Sequence, residues 1–140
     1  MKLTTCISAG VFIFLSAWVM KNKESNEQSG SLYQTKWTLK RIHSDSTYDE
    51  VTGKAFIHFD NEKKSAGGNG GCNSFGSTLS VTGNNLQISE IFSTKMYCEG
   101  IQPVEDTYLK YLGKSNRFDI KGKILSLYKD KLLLLEFSAE

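Results

Sequence analysis

From Tyr33 onward the apolar positions recur at intervals of two, in short runs broken by turn residues, as in half-buried strands. Trp37 and Leu39 share a face in residues 37–42, and Ile57 and Phe59 share one in residues 55–59. Between them, residues 43–53 are polar, carry Asp45, Ser46, Asp49 and Gly53, and read as a loop. Residues 60–64 have the composition of a hairpin turn. Residues 65–70 return as a third strand thinned by glycines, which marks a bulge or a close backbone approach. Residues 77–81 and 86–88 flank Gly83-Asn84-Asn85, residue types that accept positive φ at low cost.

One segment changes period. Pro103 suits a first helical position, and Glu105 and Asp106 complement the helix dipole in the first turn. Val104, Tyr108, Tyr111 and Leu112 follow at i, i+4, i+7 and i+8, one apolar stripe. Gly113 fits a left-handed C-terminal cap. A helix of about ten residues is marginal alone, so its stripe must be buried against the sheet. Residues 117–120, 123–128 and 131–137 then form an antiparallel meander with turns at Lys121-Gly122 and Lys129-Asp130. The continuous apolar run 132–135 predicts a last strand buried on both faces or nearly so. The sum is an α+β domain: a small curled antiparallel sheet or partly open barrel of about eight strands, with one helix between strands five and six.

The first 20 residues follow neither pattern. Lys2 precedes a mostly apolar run at 7–20, and a polar stretch follows, which together read as an export signal or signal-anchor over residues 1–20. The apolar run is short for a spanning helix. Leu3-Thr4-Thr5-Cys6 has the local look of a lipoprotein box but stands before the apolar run. Residues 21–32 read as a polar tether and residues 33–138 as the single folded domain. The expected location is therefore the cell envelope, whether periplasmic, membrane-anchored or secreted, with residues 1–20 a candidate membrane tether.

Composition changes this picture little. Hydrophobic residues make up 39% and charged residues 23% of the 140, as in a soluble domain with a real core. Beyond residue 30, 14 Lys and Arg stand against 13 Asp and Glu, so no basic surface argues for nucleic acid.

The chemistry-bearing residues concentrate between Gly67 and Cys98. Export would permit a Cys72–Cys98 bridge closing a loop of about 27 residues; the alternative is two buried free thiols. A nucleophilic Cys72 with His43 or His58 as base would require a free thiol, and the two cysteines are not a Cys-x-x-Cys pair. The glycine run lacks the Gly-Lys-Ser/Thr of a phosphate loop, and the Ser74 neighbourhood lacks the glycine of a nucleophile elbow. For Asn73, hydrogen bonds to local backbone are expected ahead of a ligand contact. Two histidines 15 residues apart make no zinc set, and no other metal or cofactor is expected. Glu105 and Asp106 are read as dipole partners ahead of an acid–base pair.

Trp37-x-Leu39, Ile57-x-Phe59, Gly71-Cys72-Asn73-x-Phe75, Ser93-Thr94-x-Met96-x-Cys98 and Glu105 ahead of the helix together resemble the META domain, the family of the HslJ-like envelope proteins. The resemblance covers about residues 33–138 and makes Gly71, Cys72, Asn73, Phe75, Thr94, Met96 and Cys98 its motif positions. It implies a small antiparallel β domain with a helix, exported, often lipidated, and without a defined reaction. The expected role is a non-enzymatic stress-tolerance or partner-binding module of the envelope. The alternative is a pilot-like carrier holding a lipid or other apolar ligand between helix and sheet, against Tyr108, Tyr111, Leu112 and Leu133. Two departures stand out: Gly76 follows Phe75 directly, so the next hairpin is shortened or re-registered, and Tyr97 replaces a small residue.

Overall fold

The computed structural model describes residues 31–44, 47–51 and 53–140. The segments expected as export signal and tether, with Cys6, lie outside the described residues but for Ser31 and Leu32. Nine strands and one helix follow in the order β1 (Trp37–Ser44), β2 (Thr47–Glu50), β3 (Phe56–Asp60), β4 (Ser65–Asn69), β5 (Ser74–Thr82), β6 (Asn85–Ser93), α1 (Gln102–Lys114), β7 (Arg117–Lys121), β8 (Ile124–Lys129) and β9 (Leu132–Ala139). All pairings are antiparallel, and β1 also pairs with β9, so the ladder closes on itself as a ring.

The ring has one narrow joint. β6 meets β7 at a single ladder pair, Asn85 with Arg117, backed by bonds from Leu86 N to Asn116 O and from Phe118 N to Asn84 O. Beyond that point α1 packs along β6 and also against β9. Its buried residues are Glu105, Tyr108 and Leu112. The Tyr108 ring meets Phe75 edge-on at 5.8 Å and Phe137 at 6.0 Å. Trp37, Leu39, Ile57, Leu125, Leu127 and Leu135 complete a core with no exposed surface. Alternation explains this directly, because every second residue of a ringed sheet faces inward.

Four expectations are corrected. The polar stretch 43–53 is not a plain loop: β2 folds back on β1, pairing Arg41 with Glu50 and Ile42 with Asp49. Polar residues can form this hairpin because it lies at the edge of the sheet and buries little. That extra strand makes nine, and α1 falls between β6 and β7. Gly113 is helical instead of a left-handed cap; α1 runs on to Lys114 and stops at Ser115 in an extended conformation, with Ser115 N bonded to the Tyr111 and Leu112 carbonyls. β9 is not buried along its whole apolar run, since Leu132 beside the hairpin turn is 51% exposed. Leu134 and Leu135 are buried, next to a register shift in the β8–β9 ladder. Leu32, expected as the last residue of a tether, belongs to the folded part, because it is buried and its carbonyl accepts from Trp37 Nε1 at 3.1 Å.

The glycines of β4 mark a close backbone approach. A Cβ on Gly68 would lie 2.0 Å from the Phe56 carbonyl oxygen, and one on Gly67 would lie 2.9 Å from that of Phe75. The direct Phe75-Gly76 step coincides with an irregular register. Gly76 pairs with Phe92 but Thr78 with Ser89, so β6 carries one extra residue there and Glu90 takes φ +53°.

Candidate functional site

The motif residues converge where β4 gives way to β5 and where β6 leads into α1. Gly71 turns the chain at φ +121°, helped by the Asn69 side chain, whose Oδ1 accepts from Gly71 N at 2.8 Å. Cys72 is bonded to Cys98, with their Cα atoms 5.9 Å apart. This resolves the open alternative in favour of the bridge.

Asn73 is buried, and its partners are not the local backbone expected for it. Its Oδ1 accepts from Met96 N at 2.8 Å and from Thr94 Oγ1 at 2.9 Å. Its Nδ2 donates to Met96 O at 3.0 Å and to Glu105 Oε1 at 2.6 Å. Two donors and two acceptors are the full capacity of an amide side chain. Glu105 supplies the third side of the joint. Its Oε2 accepts from Cys72 N at 2.9 Å and from Asn73 N at 2.6 Å. The carboxylate is 1% exposed. Burial works to raise its pKa, but hydrogen bonds from the Asn73 side chain and from the Asn73 and Cys72 backbones outweigh it, and the net shift is downward. Gly70 must be bare for the same reason, because a Cβ there would lie 2.6 Å from the Glu105 side chain.

The motif is thus a three-way joint holding the start of β5, the segment before α1 and the first turn of α1. Glu105 does more than the dipole partnership expected of it. The signal was its position: Glu105, Tyr108 and Leu112 lie at i, i+3 and i+7, so the acid sits on the buried face. Asp106 is exposed and accepts from Gln102 Nε2 at 2.9 Å, so the two carboxylates do not work on a common site. His43 Nε2 lies 2.7 Å from Glu136 Oε2, and the His58 ring stands edge-on to Phe56. Among the described residues no group of three His, Cys, Asp or Glu side chains is placed to hold a metal ion.

The four residues expected to line an apolar ligand site differ in burial. Tyr108 and Leu112 are wholly buried in the core, while Tyr111 and Leu133 are half-buried. The Tyr108 hydroxyl has no hydrogen-bond partner among the described residues, and burial pushes its pKa well above 10.0. An open cleft of about 570 Å³ lies elsewhere, beside the glycines of the joint, with Val51, Ala55, Gly71, Ile101 and Val104 in its wall.

The model of one family, the META domain, matches residues 30–140. The chain belongs to the META domain family. Solved structures of similar fold support the architecture of this META domain. A protein from Burkholderia xenovorans superposes with a TM-score of 0.66 at 21% identity, covering 78% of this chain and 83% of that one. A DUF4847 family protein from Bacteroides vulgatus gives a TM-score of 0.54 at 12% identity, covering 76% and 93%. No curated protein matches the chain. At these identities the likeness is one of fold.

The disulfide of the META domain spans 26 positions. Its removal in a Cys72→Ser, Cys98→Ser double variant is expected to cost about 3.5 kcal/mol through the freed loop entropy. The bonds of Asn73 and Glu105 still hold the two segments, so the variant should fold with a lower urea midpoint. An unchanged midpoint would show that the bridge constrains nothing that these bonds do not already fix.

Proposed function

We propose that this META domain is a non-enzymatic, exported module of the cell envelope that works by binding. One observation carries the reading: the polar groups of the motif face inward onto one another, and the segment they fix presents apolar side chains outward. Asn73 has its four hydrogen bonds within the domain, and Glu105 accepts three. On the fixed segment, Met96 is 60% and Tyr97 79% exposed. Neither Asn73 nor Glu105 faces a substrate as a free acid, base or nucleophile. A bridged Cys72 fits an oxidising compartment and has no thiol to offer.

The test is mass spectrometry of the chain expressed with its own leader and recovered from the envelope fraction. It reports cleavage or retention of residues 1–20, any acyl group on Cys6, and the Cys72–Cys98 bond together. Recovery from the cytoplasm with both thiols free would overturn the export reading. Turnover on a panel of ester and peptide substrates, abolished by a single substitution, would overturn the non-enzymatic one.

The cleft beside Val51 and Val104 favours a second reading, a carrier for a small apolar ligand, since its volume is within the usual range for such sites. Native mass spectrometry of the purified chain should then show a retained apolar adduct, lost when the cleft is filled by Gly53→Leu, a position with open space beside it.

A further inference from the structure

We infer that the segment between β6 and α1 is a membrane-contacting strip, in which Phe92, Met96 and Tyr97 lie against the lipid surface to which the chain is tethered. The inference rests on the tethered-envelope reading above. Three observations carry it. Phe92 is 71% exposed although it is large and apolar, and with Met96 and Tyr97 it places three such side chains within six residues. They are contiguous: the groove beside Phe92 and the groove beside Met96, Tyr97 and Leu109 share Ser93 and Thr94 as a common wall. The strip is also rigid, because Thr94, Met96 and Cys98 are tied to Asn73 and Cys72.

Size and reach point to lipid as the occupant. Three side chains of this kind, exposed to this degree, present roughly 400 Å². That is about half the area per partner of a standard stable protein interface, roughly 800 Å². A patch too small to hold a free protein suffices when a tether already confines the domain near a surface, because the second contact becomes intramolecular. The described domain begins beside the β3–β4 turn, where Ser31 and Tyr33 adjoin Asp60 and Asn61. The strip lies at the opposite end of β3 and β4, since Thr94 N bonds to Ser74 O and Ser74 pairs with Asn69. Five strand residues separate those ends by roughly 17 Å. Residues 21–30 span up to roughly 35 Å when extended, enough to lay the far end on the bilayer. An aromatic ring and a methionine beside Lys95, whose long stem lets its ammonium stay in water, suit the headgroup boundary. Asp106 lines the same groove as Lys95 and offsets its charge, so contact should not require anionic lipid.

The test uses the full chain carrying Trp18→Phe and Tyr97→Trp, reconstituted in phosphatidylcholine vesicles with and without bromine at acyl positions 6 and 7. Trp37 is wholly buried and gives a common background, read from the Trp18→Phe chain. The expected result is that most of the emission added at position 97 is lost in brominated vesicles, and that Phe92→Ser with Met96→Ser restores it. If the chain floats with the vesicles but position 97 is not quenched, or if the two serines change nothing, the strip is overturned and the tether stands. A chain that does not float overturns the tether, and the strip with it.

Discussion

Replacing Glu105 by alanine is expected to destabilise the domain by about 4 kcal/mol, more than any other truncation at the joint. The carboxylate is the shared acceptor for Cys72 N, Asn73 N and Asn73 Nδ2, and it is buried. Its loss strands two backbone donors and one amide hydrogen in a buried site. It also leaves a void over Gly70, whose missing side chain is what makes room for Glu105. Glutamine should cost less, about 2 kcal/mol, but it is not neutral. One amide oxygen can take the two backbone donors, yet the amide nitrogen then faces Asn73 Nδ2, donor against donor. Asn73 cannot turn over to relieve this, because its Oδ1 is held by Met96 N and Thr94 Oγ1. Urea titration should show the midpoint fall with the slope unchanged.

The same carboxylate sets an acid limit. The folded pKa of Glu105 lies below its ordinary value of 4.5, so the folded state holds fewer protons than the unfolded one as the pH falls through that region. The stability it supplies is complete above about pH 4.5 and is lost as the pH drops through the lower folded value. The gap between the wild-type and Glu105→Gln midpoints should therefore narrow below pH 4.5 and stay constant above it. A gap that is constant down to pH 3 would mean that the carboxylate gains nothing from its three donors.

The strands were legible because alternation is a local property. Trp37 with Leu39 and Ile57 with Phe59 identify their faces without knowledge of any partner. What local pattern could not carry was pairing across distance. Closure of β1 on β9 joins residues about a hundred positions apart, and polarity hid β2 because an edge hairpin needs no apolar face. The joint failed to show for a related reason. An asparagine after a glycine run has a strong prior for local turn bonds, and the partners that fixed it, Thr94, Met96 and Glu105, were distant in the chain. Glu105 was legible as an anomaly, a charge on the buried stripe of α1, but the dipole explanation was sufficient until the donors from Cys72 and Asn73 were seen. The exposed strip was harder still, since Phe92 continues the alternation of the buried Leu86 and Ile88, and nothing in a sequence says where a strand face is left uncovered.

Asn73→Asp should reverse the sign of the pH dependence. The substitution keeps the acceptor that Met96 N and Thr94 Oγ1 require, and replaces the amide nitrogen by oxygen. That oxygen would stand about where Nδ2 does, 2.6 Å from Glu105 Oε1 and 3.0 Å from Met96 O. Two ionised carboxylates cannot share such a site, so the pair must hold a proton between them or move apart. The pair's apparent pKa is thereby raised above the ordinary carboxylate range. Between that range and the raised value the folded state binds more protons than the unfolded state, so stability falls as the pH rises. At neutral pH the variant should be destabilised by about 3 kcal/mol or more, and it should recover as the pH is lowered toward 5. Glu105 contributes no slope to the wild type over the same interval, because its loss lies below its ordinary value of 4.5. Urea midpoints measured for both chains from pH 5 to pH 8 decide the matter. Parallel curves would show that position 73 does not face Glu105, and the three-way joint would then have to be redrawn. A variant that loses stability as the pH rises, with no matching slope in the wild type, would place the two side chains against each other in solution and make the amide of Asn73, as the neutral partner of a buried carboxylate, the requirement that the motif encodes.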